Sequence, residues 1–291
     1  METFEVTLPG GFAFEGGWQR TVSVRPLSGR DEVFLSEEGR ALLPARRVTA
    51  LLERTLGPCV SGVAVTPEFV RRLTVGDREA LMLHLRRLTL GGEISCIISC
   101  PLAACGEQMD LDLKVEDLLV PPNAHARGET HEAFVEAEGR RYRVLFRLPN
   151  GGDQEDAAAL AASDWEAAMR LVMRRCVKST TLADDAEAGE VSLPPDAVPA
   201  LQSVMASLDE QAEIVLDLKC PACGHAFSLP FDIGDYFQRE LTRRGADVYR
   251  EVHQLALHYH WSEAEILAMT RARRRLYLGL LADTASNGRT R

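Results

Sequence analysis

The sequence carries none of the short motifs that mark a nucleotide or hydrolase site. It has no G-x-x-x-x-G-K-[ST] loop, no G-x-G-x-x-G, no H-E-x-x-H and no G-x-S-x-G. No carboxylate pair stands out as an acid/base couple, so nothing points to an enzyme. Basic charge is also short: 33 Lys and Arg stand against 43 Asp and Glu, a formal net charge of −10. That balance argues against coating nucleic acid or an anionic membrane by bulk charge, and leaves room for a local basic patch. No apolar run approaches the roughly 18 residues of a membrane-spanning helix. The opening METFEVTLPGG has no basic segment followed by an apolar one, so no secretory signal is expected. The chain is expected in the cytoplasm, or outside the cell only as part of something larger.

Apolar residues make up 46% and charged residues 26% of the 291 positions, ordinary for a soluble protein of one large domain or two smaller ones. Cysteine is the informative residue. There are seven: Cys59, Cys96, Cys100, Cys105, Cys176, Cys220 and Cys223. An odd number in a reducing setting argues against disulfides, and clustering there points to metal.

The two Cys-Pro sites are alike. ISCPLAACGEQMDLDLKVEDLL (98–119) and DLKCPACGHAFSLPFDIGDYF (217–237) both run Cys-Pro, spacer, Cys-Gly, alternating apolar stretch, then an acidic residue before two apolar ones. The likeness extends upstream. Leu73, Leu88 and Glu93-Ile94 precede Cys100 by the same intervals as Leu193, Leu208 and Glu213-Ile214 precede Cys220. ALLERTLGPCV (50–60) parallels AMRLVMRRCV (168–177), setting Cys59 opposite Cys176. RTVSVRPLSGRDE (20–32) parallels RYRVLFRLPNGGDQE (141–155). Several matches in one order and at near-constant offset predict an internal duplication, with copies at 1–124 and 125–240. The Pro- and Gly-containing PPNAHARGET lies between them. Residues 241–291 fall outside it.

Each copy reads as α+β. Alternating, β-branched stretches open it: FEVTL and TVSVRPL in the first, AFVEAEG and YRVLFRL in the second. Helices follow at 45–56 and at 154–176, the latter with Asp153 as N-cap. Second helices follow at VGDREALMLHLRRLTL and PPDAVPALQSVMASL, with Asp77 and Asp196 near their starts and Pro199 in the first turn. Short strands then flank each cysteine turn, EISCIIS with MDLDLKV and EIVLDLK with FSLPFDI.

Four thiolates in a tetrahedron close the shell of zinc without redox chemistry. Proline stiffens each Cys-Pro turn, and glycine permits the backbone that aims amides at sulfur. Each turn supplies two ligands, so a zinc ribbon needs both. The predicted ligands are Cys100, Cys105, Cys220 and Cys223, one structural Zn2+ shared between the copies. The longer first spacing leaves Cys96 and His225 as substitutes. Cys96 reads better as a small buried hydrophobe, and His225 lies where the first copy has Glu107. The rival readings of CPAC are buried free thiols and a thioredoxin-like redox pair. The latter needs a helix after the motif, where FSLPF reads as strand. No open coordination position is evident. Cys59 and Cys176 end apolar helices and read as core.

Residues 241–281 read as wholly helical. Val248, Val252, Leu255 and Tyr259 keep helical spacing. Ser262 with Glu265 makes a capping box, and Trp261 staples to Ile266. A third helix, RARRRLYLGLL, follows Thr270. Its Arg271, Arg273, Arg274 and Arg275 read most simply as a solvated face offsetting the acidic charge. An acidic protein face or nucleic acid is the alternative. His253, His258 and His260 read as surface or packing residues, and TASNGRTR as a disordered tail.

These residues resemble a family. RPLSGRDE, LTVGDREALMLHLRRLTLG and CPLAACGEQMDLDL are similar to phage baseplate proteins of the T-even type, with relatives in contractile tails and phage-like injection systems. VHQLALHYHWSEAEILAMTRARRRLYL resembles helical segments of phage tail and tail-assembly proteins. The resemblance implies a non-enzymatic assembly role. The implied partners are baseplate, hub or tail proteins, docked through 241–281, in a phage-like particle built in the cytoplasm. No membrane, nucleic acid or small-molecule substrate is implied. Two other classes stay open. A zinc-ribbon nucleic-acid binder or regulator would need a basic ribbon, and this one carries Glu107, Asp110, Asp112, Asp232 and Asp235. A thiol-dependent enzyme would need a reactive, low-pKa cysteine.

Overall fold

The computed structural model describes residues 2–14, 17–57, 64–123, 125, 128–184 and 189–287. It is mixed α and β, with helix predominating over small antiparallel sheets. The chain opens with a hairpin of β1 (Phe4–Phe14) and β2 (Gly17–Val24), which buries Val6, Leu8, Val22 and Val24. Its pairing slips between Thr7 and Phe12. There the Gly10 and Gly11 amides donate to the Asp77 carboxylate at 2.8 and 2.9 Å, which supplies the acceptors a strand would have offered.

Four helices follow: α1 (Gly29–Ser36), α2 (Pro44–Thr55), α3 (Pro67–Arg72) and α4 (Val75–Leu90). The side chains of Ser28, Thr66 and Thr74 cap α1, α3 and α4. Ala80, Leu81, Met82, Leu83 and Leu85 of α4 are all buried. A helix buried at consecutive positions is enclosed on every side, and α4 is the axis of the first core. Then come β3 (Glu93–Ser99), β4 (Gln108–Lys114) and the short α5 (Val115–Leu118).

The second half holds a three-stranded sheet of β5 (His131–Ala137), β6 (Arg140–Phe146) and β7 (Val177–Leu182), in that order. The expected single helix at 154–176 is two, α6 (Gly151–Ala161) and α7 (Trp165–Cys176). Asp164 caps α7 and marks the break. Alanine on both sides favours helix alike and hides the interruption. Asp153 is not the N-cap of α6. Asn150 is, and Asp153 reaches back as the third residue of a capping box. The helices α1 and α3 and the strand β7 were not among the expected elements. VKSTTL lacks clean apolar alternation, and the pairing of Tyr142 with Leu182 and of Val144 with Thr180 makes it a strand. Next are α8 (Val198–Leu208), β8 (Val215–Lys219) and β9 (Ala226–Pro230). A second core forms from Val135, Val144, Phe146, Met173, Cys176 and Leu201.

The terminal helices are α9 (Ile233–Tyr259), α10 (Glu263–Leu267) and α11 (Arg271–Asn287). α9 starts before residue 241, and its Ile233, Phe237 and Leu241 belong to the first core. Its far end makes a third cluster, Val248, Val252 and Leu255 with Ile266 of α10. The Ser262–Glu265 capping box is present. Trp261 stacks on Tyr259 at 4.6 Å and meets Tyr277 edge-on at 4.8 Å. His253, His258 and His260 are exposed. Thr284 of the expected tail lies in α11, and 288–291 fall outside the described residues, as does Cys59. No helix among the described residues is long and apolar enough to cross a membrane.

Candidate metal centre

β3 and β4 pair antiparallel from Glu93↔Lys114 to Ser99↔Gln108, and β8 and β9 from Val215↔Pro230 to Lys219↔Ala226. Both hairpins half-bury one face. Ile94, Leu113, Ile214, Leu216 and Phe231 pack in or against the first core, so the two stand on one base although they lie far apart in sequence. The Tyr236 hydroxyl donates to the Ser95 carbonyl at 3.1 Å and ties α9 to β3.

The turns at their tips are built alike. The Cys100 amide donates to the Glu107 carbonyl at 2.8 Å, and the Cys220 amide to the His225 carbonyl at 2.9 Å. Each second cysteine is followed by a glycine with positive φ, 63° at Gly106 and 74° at Gly224, where an L side chain would be strained. The Leu102 and Ala222 amides donate to the Cys100 and Cys220 sulfurs. The two additional residues of the first spacer are absorbed in an exposed loop.

The tips place Cys100, Cys105, Cys220 and Cys223 together, with all four sulfurs within 4.8 Å of one another. Cys100 Sγ lies 3.8 Å from Cys223 Sγ, and Cys105 Sγ lies 3.8 Å from Cys220 Sγ. Each close pair joins one hairpin to the other. A disulfide needs about 2.05 Å. A tetrahedron of sulfurs about 2.3 Å from its centre has edges of about 3.8 Å, which is the Zn–S geometry. The donor set therefore fits a tetrahedral metal ion. Cys100 and Cys220 are buried, Cys105 is half-buried and Cys223 is exposed.

Protonation follows from this crowding. Burial pushes the Cys100 thiol up to about 12, with the neighbouring thiols adding to it. At Cys105 the Glu107 amide favours the thiolate but is outweighed by the Cys223 thiol, burial and the Cys220 thiol, and the group titrates high. At Cys220 the Cys223 amide prevails over burial with help from the Ala222 amide, and brings the thiol down to about 7. Four thiolates cannot share this space without a cation. A bound divalent ion inverts that balance by deprotonating its ligands.

Cys96 pairs with Leu111 on β3–β4, is half-buried and lies outside the cluster. His225 stacks on Phe227 and also lies outside it. Cys176 is fully buried in the second core.

Two further constellations escaped the sequence reading, although the aligned segments RPLSGRD and RLPNGGD spell them. Arg25 bonds to Asp31 at 2.6 Å and Arg147 to Asp153 at 2.5 Å, each carboxylate also closing a capping box. Each arginine holds its aspartate's pKa low against the opposing effect of burial. The loops then dock onto helix starts. Asn150 bridges to Thr74, and an added Cβ on Gly151 would overlap the buried Arg78 guanidinium. Ser28 bridges to Thr270, and a Cβ on Gly29 would crowd Arg274 at 3.0 Å. Both helices begin Thr-x-x-x-Arg. The expected solvated arginine face is thereby corrected. Arg271 and Arg274 are buried and share Glu32 at 3.3 and 2.7 Å, and Arg274 also pairs with Glu251 at 2.7 Å. Arg273 and Arg275 remain exposed.

The fold and the site together define a mixed α and β protein with small sheets and a cluster of four cysteines that could hold a metal ion. Residues 1–238 match the family model described as T4 bacteriophage base plate protein, and the chain belongs to that family. No curated protein and no solved structure matches it.

Proposed function

We propose that the chain is a non-enzymatic assembly component of the baseplate of a phage-like contractile tail or injection system, stabilised by one structural zinc. The observation that carries the role is the family match over residues 1–238. Two sulfur pairs at the 3.8 Å edge of a thiolate tetrahedron, with all four sulfurs within 4.8 Å of one another, support the metal. The zinc holds two hairpins to each other and performs no chemistry, because four protein sulfurs leave no position open for water or substrate. Residues 1–124 and 125–240 are two copies of one module. The paired cysteine turns and the paired Arg–Asp capping boxes support that reading. Residues 241–291 are the docking segment toward hub or tail proteins, with assembly in the cytoplasm. The nucleic-acid alternative loses ground to the exposed Glu107, Asp110 and Asp112 on the first hairpin.

The test is co-assembly. Expressed with tube, sheath and spike components, the chain should travel with baseplate intermediates, and its deletion should stop particles before sheath polymerisation. Fully assembled particles in the deletion strain would remove the assembly role. Elemental analysis of the purified chain should find about one zinc per chain.

A further inference from the structure

The inward face of α11 is used up by the chain itself. Arg271 and Arg274 are buried, and Tyr277, Leu278 and Leu281 pack on the third core. The outward face is apolar as well. Leu276 is 63% exposed and Leu280 49% exposed. Ala272, Gly279 and Asp283 are exposed beside them. At about 100° per residue these five positions fall within an arc of roughly 100°, one continuous ridge. Nothing lies within 4 Å of the Cβ that Gly279 lacks, so a second backbone can come close there.

The charges flanking the ridge are self-complementary. Arg273 is exposed at one end and Asp283 at the other. Neither makes an ion pair within the chain among the described residues. They lie at equal distances on either side of residue 278, as do Leu276 and Leu280. Turning a second copy antiparallel about that point sets Leu276 against Leu280 and Arg273 against Asp283, each contact occurring twice. That is the condition for an isologous twofold interface. A parallel pairing would set Arg273 against Arg273.

We propose that two copies of this chain associate through an antiparallel pairing of α11, with Leu276 and Leu280 at the seam and reciprocal Arg273–Asp283 ion pairs at its ends. One helix pair buries less than the roughly 1,200 Å² of a stable standard interface, so the dimer is weak, with a dissociation constant in the micromolar range. Avidity strengthens it when both copies are held in a larger assembly. The pairing shares only its segment with the docking reading above and does not depend on it.

Sedimentation of the 291-residue, metal-loaded chain up to about 100 μM tests the proposal. The wild type should pass from monomer to dimer with concentration. Leu276→Asp should weaken the dimer at least about tenfold, and so should Arg273→Glu, which faces Asp283 with a like charge. Arg273→Glu combined with Asp283→Arg should restore it to within about threefold, because the reversed pair attracts again. These side chains are exposed, and unchanged circular dichroism and metal content would exclude misfolding as the cause. A chain monomeric throughout overturns the proposal while leaving co-assembly with baseplate components to be judged by its own test. A dimer indifferent to Leu276→Asp, or a double reversal that fails to restore it, also overturns it.

Discussion

Glu32 carries more structural consequence than its place in a short helix suggests. It is buried and is the shared acceptor for Arg271 and Arg274, which are themselves almost wholly enclosed. Removing its charge takes an acceptor from two buried guanidinium groups, of which Arg274 keeps its pair with Glu251. Glu32→Gln is expected to destabilise the chain by about 3 kcal/mol, read from the shift in urea midpoint at unchanged slope. Asp77 makes a pH prediction. Burial, reinforced by the charge of Asp209, raises its pKa to about 7, against the pull of the Gly10 and Gly11 amides. Burial raises Asp209 itself to about 6. Between the ordinary carboxylate range and these values the folded chain holds protons that the unfolded chain has released. Their contribution is therefore complete below about pH 4 and is lost as pH rises through 6 to 7. Asp31 and Asp153 are shifted the other way, and their contribution is already complete above that range. Wild-type stability should fall between pH 5 and pH 8 more steeply than that of Asp77→Asn, both measured by denaturant titration with metal bound. Parallel curves would show that Asp77 stays ionised throughout.

At the scale of elements, the cysteine turns depend on backbone conformation as much as on sulfur. Gly224 sits at φ 74°, and a Cβ there would meet only the Lys219 side chain at 3.9 Å. The obstacle to a side chain is conformational, not steric. Gly224→Ala should therefore cost about 1–2 kcal/mol and speed metal loss to a chelator without abolishing binding. The same elements show what local patterns reveal. Helix α4 was legible to the residue, because Thr74 caps it and Gly91 ends it. The break between α6 and α7 was not, because the ion pair that joins Asp153 near the start of α6 to Arg175 near the end of α7 is a contact between residues far apart in sequence that no local pattern shows. β7 was missed because its partner β6 lies more than thirty residues back, and pairing, not composition, makes it a strand.

At the scale of the molecule, the first core joins elements far apart in sequence, from Val6 to Leu241. The opening hairpin, α4, both cysteine hairpins and the start of α9 all contribute to it. A metal at the hairpin tips would close the loop between Cys100 and Cys220 at the point farthest from their shared base. Cys220→Ser and Cys105→Ser should each lose the metal and lower the unfolding temperature by several degrees, since binding free energy is folding free energy. Retention of a full equivalent of metal in both variants would rule the cluster out. Hydrogen exchange should rise in β3–β4 and β8–β9 together, because each close sulfur pair spans both hairpins.

The sequence by itself determined the parts whose causes lie within a few residues: the two Cys-Pro turns, helix α4, the Ser262–Glu265 box and the strands around the cysteines. It also held the repeated Arg-x-x-[Ser/Asn]-Gly-x-Asp segment, whose meaning was invisible without its partners. Only the tertiary structure decided which sulfurs meet, and which loop receives which Thr-x-x-x-Arg helix. It also decided that half of an arginine cluster is core. The reason is separation: Glu32 and Arg274 lie 242 positions apart. A guanidinium reads the same in sequence whether its counter-charge is a buried carboxylate or water.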